Sequence, residues 1–151
     1  MPEQRLLGLD VGERRIGVAL SDALGMLASP LTTINANPRP QALTMIARLV
    51  REHEVQVIVV GLPLTLRGEI GPQAEQTRTF AQELEQHVGL PIMLFDERYT
   101  TTVAEQLLRE MGVKPEKRKQ QIDQVAASII LQDYLDHMRN GGEGGYMEQE
   151  E

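Results

Sequence analysis

The chain predicts an α/β fold: one mixed five-stranded sheet, three antiparallel strands and then parallel ones, flanked by helices. Three observations carry this expectation. Apolar runs at residues 5–10, 15–21 and 27–34 are joined by connections too short to hold a helix, so they pair antiparallel. Later runs at 55–60 and 90–95 each follow a segment of helical period, which is the mark of parallel pairing through a crossover. Length and composition agree. The 151 residues fit one domain, and the 41% hydrophobic content fills an aliphatic core, with 3% aromatics and no Trp.

Each element has a local reason. Residues 5–10 (RLLGLD) read as a strand buried on both faces, and Val11-Gly12-Glu13 as the turn after it. Residues 15–21 (RIGVALS) form the second strand, with small side chains at Gly17 and Ala19. Residues 27–34 form the third, and Pro38 and Pro40 then break the pattern. A helix over 41–54 places Leu43, Ile46, Ala47 and Val50 on one face, with Pro40 suited to its first turn. Residues 55–60 (VQVIVV) are the clearest strand and run into Gly61-Leu62-Pro63. A loop with Gly68 and Gly71 leads to a helix over 72–87, with Ala74, Thr77, Ala81, Leu84 and Val88 in register and Gly89 at its end. After the fifth strand, a helix over 101–111 turns Ala104, Leu107, Leu108 and Met111 to the core, with Thr102 and Glu105 as a capping box. A last helix covers 119–139. Residues 1–139 therefore form one domain, and 140–151 a disordered acidic Gly/Glu-rich tail.

Composition also bounds function. No apolar run approaches the roughly 20 residues of a membrane span, and the first residues lack a signal pattern, so a cytoplasmic protein is expected. Without cysteine there are no disulfides and no soft-metal site. A net charge of −7 argues against nonspecific coating of nucleic acid, which needs many Lys and Arg contacts to phosphate. Four glutamates of the tail account for more than half of that charge. The basic stretch Lys114, Lys117, Arg118 and Lys119 remains, so a nucleic-acid-binding face would be local.

The chemistry-bearing residues are carboxylates at the ends of buried elements. Asp10 closes the first strand, Asp96 and Glu97 close the fifth, and Asp123 lies early in the last helix, followed by Ala126 and Ala127. Buried charge needs a partner, and a divalent cation is the simplest partner for several carboxylates. All-oxygen donors point to Mg2+ or Mn2+. Each feature has a plainer explanation: an Asp-Gly hairpin, a charged turn before a helix, an Asp favoured by a helix dipole. Because strand side chains alternate, only one of Asp96 and Glu97 can share the site of Asp10, and the residues alone leave open which. Gly12 would admit a phosphate or metal to the backbone. Arg15 opens the second strand beside that turn. Gly61 and Pro63 close the fourth strand at the edge where open α/β sheets bind ligands, with Arg67 beyond them as a donor. Arg98, the surplus threonine Thr101 and the run Lys117, Arg118, Lys119 complete the expected contacts to substrate phosphate.

Four blocks, GLDVGERRIGVALSD, VVGLPLTLRGE, DERYTT and IDQVAASIIL, in this order and spacing, resemble the YqgF family. These are the RuvX-like bacterial proteins described as Holliday junction resolvases or as nucleases of precursor ribosomal RNA. The resemblance runs from about residue 7 to 137. It departs at Thr65-Leu66-Arg67-Gly68, where relatives often carry an Asn-Met-Asp-Gly-like stretch. It implies an RNase H-like fold and a metal-dependent nuclease site. It places Asp10, Glu97 and Asp123 on the family's acidic positions, and leaves Asp96 a structural role. The expectation is then a phosphodiester endonuclease using two Mg2+ or Mn2+ ions, with Asp10 shared between them, acting on the 5' end of precursor 16S ribosomal RNA. The alternative substrate is a four-way DNA junction. Expected partners are nucleic acid and the ribosome or its assembly factors, the chain being a monomer or homodimer. Two other classes compete: an ATP-binding enzyme of the actin and sugar-kinase type, which needs a second such domain, and a noncatalytic RNA- or ribosome-binding module.

Overall fold

The doubly apolar run Arg5–Val11 becomes β1, an interior strand of the sheet. It pairs antiparallel with β2 (Arg15–Ser21) on one side and parallel with β4 (Val55–Leu62) on the other. The computed structural model describes residues 4–97, 100–140 and 147–150, with the backbone alone for 100–102, 120 and 147–150. Beyond β2 lies β3 (Ala28–Asn35), antiparallel, with a register irregularity at Val18/Ala19. Beyond β4 lies β5 (Ile92–Asp96), parallel. The expected mixed sheet, antiparallel strands first and parallel strands after, is therefore present, and it is RNase H-like in its topology.

Strand alternation splits the core into two layers. Leu7, Leu9, Ile16, Ile58, Val60 and Leu94 face one side, against α1 (Arg39–Glu52) and α2 (Pro72–Val88). Leu6, Ala19, Val59 and Phe95 face the other, against α4 (Pro115–Arg139) through Ala127, Ile130, Leu131 and Tyr134. The remaining helix, α3 (Thr100–Glu110), packs on α4 through Ala104, Leu108, Val125 and Ala126.

Four expectations change. The sheet has a sixth strand, β6 (Met147–Glu150), antiparallel to β5 at the sheet edge. It falls inside the segment read as a disordered tail. Edge pairing runs through backbone groups, so it leaves no alternation in a sequence such as MEQE. Second, α4 begins at Pro115, so the basic run lies in its first turns rather than ahead of it. Proline at the first helical position is a start signal, but the cluster of positive charge at a helix N-terminus is not. Third, Leu107 (41% exposed) and Met111 (68% exposed) do not face the core. Among the described residues α3 packs on α4, and a helix so placed buries a narrower stripe than its sequence offers. Fourth, α1 begins two residues early, at Arg39. The Thr102–Glu105 capping box concerns a side chain outside those described.

Candidate active site

Asp10, Gly8 and Leu6 alternate with the buried Leu7 and Leu9, so Asp10 projects to the α4 side of the sheet. Directly opposite on β2 is Gly17. A Cβ at Gly17 would overlap the backbone carbonyl of Asp123. The backbone of α4 therefore rests on β2 at this point, beside Asp10. The space left by the missing side chain of Gly17 is filled by the helix itself. Gly61 acts similarly on β4, where an added Cβ would meet Ile130 Cδ1 at 2.6 Å and Glu97 Cβ at 3.1 Å. Glu97 lies one residue past β5, and its N–H donates to the Leu62 carbonyl at 3.2 Å, prolonging the β4–β5 pairing. Three elements thus bring Asp10, Glu97 and Asp123 to one face at one end of the sheet. Alternation decides between Asp96 and Glu97, since it is Glu97 that hydrogen-bonds to Asp10.

The pair Asp10–Glu97 is only partly exposed, and the two side chains share a hydrogen bond. Burial, followed by the negative charge of Asp10, the hydrogen bond to it and the charge of Asp96, pushes Glu97 up to about 9. Burial, then the charge of Asp123, pushes Asp10 up to about 6, and the bond from Glu97 opposes the rise. At neutral pH Glu97 therefore carries the proton and donates it to an ionised Asp10. Asp123 is held differently: Arg15 Nε donates to its Oδ2 at 2.7 Å.

The donor set suits a hard divalent cation. It consists of carboxylate oxygens with no cysteine in the chain, and two carboxylates sharing one proton form a position where a cation can displace that proton. The fit is to Asp10 and Glu97 as they stand. Among the described residues no three His, Cys, Asp or Glu side chains converge as a metal-ligating group, and Asp123 is bonded to Arg15.

The other expected residues are distributed around this edge. The N–H of Gly12 donates to the Arg15 carbonyl at 2.9 Å, so it closes the hairpin and is not free for a ligand. Gly61 is buried in β4, with Pro63 just beyond it. Arg67 is exposed in a loop that Thr65 closes through backbone bonds to Glu69 and Gly68 of 2.9 and 2.8 Å. Lys117 and Lys119 are exposed on α4, while Arg118 Nη1 is bound to the Val113 carbonyl at 2.9 Å and fixes the α3–α4 junction. Arg98 lies outside the described residues, as does the side chain of Thr101. Two features had no local signal in the sequence. One is the Arg15–Asp123 pair, 108 residues apart. The other is a cavity of about 350 Å3 on the α1/α2 side of the same hairpin, lined by Val11, Gly12, Asn37, Arg39, Gln76 and Phe80.

A family model described as "RuvX: Holliday junction resolvase" matches residues 4–137. The chain belongs to the RuvX family. A relative from Chloroflexus aggregans, named "Putative pre-16S rRNA nuclease", is 61% identical over 140 residues, covering 93% of this chain and 99% of its own. Relatives of the same name from Moorella thermoacetica and Listeria monocytogenes are 49% and 46% identical, over 91% and 87% of this chain and 99% and 97% of their own. Among solved structures, Thermus thermophilus RuvC bound to a Holliday junction substrate superposes with a TM-score of 0.58 at 14% identity, covering 95% of this chain and 99% of that one. The Fowlpox virus resolvase–junction complex gives 0.53 at 11%, covering 89% and 99%. At those identities the likeness is one of fold, and it agrees with the RNase H-like sheet of this RuvX family member. No helix among its described residues is long and apolar enough to cross a membrane.

Proposed function

We propose that this RuvX family member is a divalent-metal-dependent endonuclease that trims the 5' end of precursor 16S ribosomal RNA in the cytoplasm. The observation that carries the reading is the proton-sharing pair Asp10–Glu97 at the strand ends, with a third carboxylate, Asp123, set beside it by Gly17. Relatives at 46–61% identity named for pre-16S rRNA support the choice of substrate.

Asp10 stands next to both other carboxylates and would be the ligand shared between two Mg2+ or Mn2+ ions, with Glu97 and Asp123 each completing one site. When bound, such ions supply Lewis-acid stabilisation of the phosphodiester and activation of the attacking water, leaving a 5' phosphate. The protein's own residues do the rest. Glu97 surrenders the shared proton to solvent on loading. Ile130, which meets Gly61 beside Glu97, keeps the carboxylates partly dry, which would strengthen their hold on a cation. Arg15, Lys117 and Lys119, all exposed, would supply positive charge to the substrate backbone, with Arg67 in the loop beyond the Gly61–Pro63 segment as a further donor.

The junction-resolvase reading draws on the family description and on the two fold neighbours. The acidic chain fits it less well, since a four-way junction is highly charged and is resolved by a dimer; RNA held partly by ribosomal partners asks less of this surface. One assay decides: with Mg2+ or Mn2+, a precursor rRNA 5' leader is set against a synthetic four-way junction, with Asp10→Asn as control. Cleavage of the leader alone supports the proposal. Symmetric cuts in the junction replace it with a dimeric resolvase. Cleavage of neither leaves a noncatalytic binding module.

A further inference from the structure

The geometry points to Arg15 as a substrate-released latch on Asp123. In the free protein its guanidinium holds the carboxylate; a substrate phosphate, competing for the same guanidinium, frees Asp123 to join the cation site. The inference rests on the reading of Asp10, Glu97 and Asp123 as cation ligands, and it adds an order of events to that reading.

Four observations support it. Arg15 and Gly17 are two apart on β2 and so share one face, the face on which Gly17 sits opposite Asp10. The guanidinium that bonds Asp123 is therefore on the same side of the sheet as the carboxylate pair. Second, exposure is unequal: the Arg15 side chain is 53% exposed and that of Asp123 20%. The cation is at the mouth and the carboxylate behind it, so an arriving polyanion meets Arg15 first. Third, the backbone of Asp123 is seated on Gly17, so release needs a side-chain rotation only and no movement of α4. Fourth, the bond to Asp123 occupies Nε at 2.7 Å, one of the two donors on the side edge of the guanidinium fork, so a phosphate that engages this edge with two bonds displaces the carboxylate. A partly exposed ion pair is weak, whereas a phosphate can engage the fork with two parallel bonds. The exchange is therefore favoured by phosphate and by little else present in the free protein.

Two consequences follow. Without substrate, Arg15 competes with a cation for Asp123, so the site is incompletely loaded. With substrate, the competition is removed, so nucleic acid and cation bind with positive and reciprocal coupling. Arg15 acts here through Asp123 and is a positioning residue with respect to the cation.

The test titrates Mn2+ into the free full-length chain, with unbound Mn2+ read by electron paramagnetic resonance. Thermal melts check the folding of each variant. Arg15→Gln should bind Mn2+ more tightly than wild type, on the order of tenfold, or gain a second equivalent, because the guanidinium no longer opposes it. Arg15→Lys, which keeps the charge, should stay near wild type. Adding Asp123→Asn to Arg15→Gln should cancel the gain. An oligonucleotide with non-hydrolysable linkages should raise the Mn2+ affinity of wild type but not that of Arg15→Gln. If Arg15→Gln binds Mn2+ no better than wild type while Asp10→Asn binds it worse, the latch is wrong and the cation site stands. If wild type binds no Mn2+, or Asp10→Asn and Glu97→Gln leave its affinity unchanged, the cation site fails and the latch fails with it.

Discussion

The proton shared by Asp10 and Glu97 should make the metal-free protein lose stability as pH rises, and Glu97→Gln should remove that loss. In the unfolded chain Glu97 releases its proton near its ordinary value of 4.5; in the folded chain it holds it up to about 9. Between those values the folded state binds one proton more than the unfolded state. Stability then falls with rising pH, at about 1.4 kcal/mol per pH unit. The slope depends on the proton's being retained across the window, and pH 6.5 to 8.0 lies wholly inside it. Over that window the loss is about 2 kcal/mol, or ~4–8 °C in Tm for a chain of this size. Asp10, raised from 3.8 to about 6, extends the same sign of effect to more acidic pH. Glutamine at 97 can still donate to Asp10 but does not titrate, so the variant should be flatter than wild type and more stable at pH 8.0. The assay is thermal denaturation by circular dichroism in EDTA at half-unit steps, read as the difference between the two proteins so that other titrating groups cancel. Parallel curves would refute the shared proton. Added Mn2+ should reverse the wild-type trend, because a cation binds the deprotonated pair and so gains affinity as pH rises.

Other perturbations test the packing and the charge around the site. Gly17→Ala forces a methyl into the Asp123 carbonyl and should cost about 3 kcal/mol, a fall of ~6–12 °C in Tm; an unchanged melt would mean that α4 does not rest on β2 there. Leu108→Ala should cost ~2–4 kcal/mol by denaturant titration, while Leu107→Ala stays within about 0.5 kcal/mol, since only the first is buried between α3 and α4. Asp10→Asn should keep the fold and lower cleavage by more than the ~100-fold typical of losing a ligand's supporting partner. Lys117→Ala or Lys119→Ala should weaken RNA binding and each reduce its salt slope by about one, measured by filter binding across salt concentrations.

What could be read from the chain divides by whether the signal is local. The strand 15–21 was legible to the residue, because apolar alternation and the flanking turns are both encoded within it. The end of β4 was placed two residues short, since Leu62 stays in the strand only through its pairing with Asp96. Asp10 and Glu97 were legible as carboxylates closing buried strands. Their shared proton was not, because it depends on how far α4 buries them. The Arg15–Asp123 pair was beyond any reading of spacing, since Gly17, 106 positions from Asp123 in the chain, seats the helix that brings them together. On α3 the apolar positions were read correctly but their surroundings were not: nothing in Leu107 or Met111 reveals that, among the described residues, the helix packs on α4 through Ala104 and Leu108.

The order of the sheet bears on how this protein behaves in a crowded solution. Its two borders are β3 and β6. Without β6 the border would be β5, whose sequence, Ile-Met-Leu-Phe-Asp, is the kind of apolar ribbon that templates intermolecular strand addition. The segment that covers it is Met-Glu-Gln-Glu, short and acidic, a poor partner for a further strand. At the far border, β3 carries Pro30, and the β2–β3 ladder is irregular at Val18/Ala19. A proline and a broken register are two further devices that discourage edge-to-edge association. Two of the tail's four glutamates, Glu148 and Glu150, thus lie on the strand at the sheet border, where negative charge discourages association between copies of the chain, a colloidal role separate from anything at the carboxylate site.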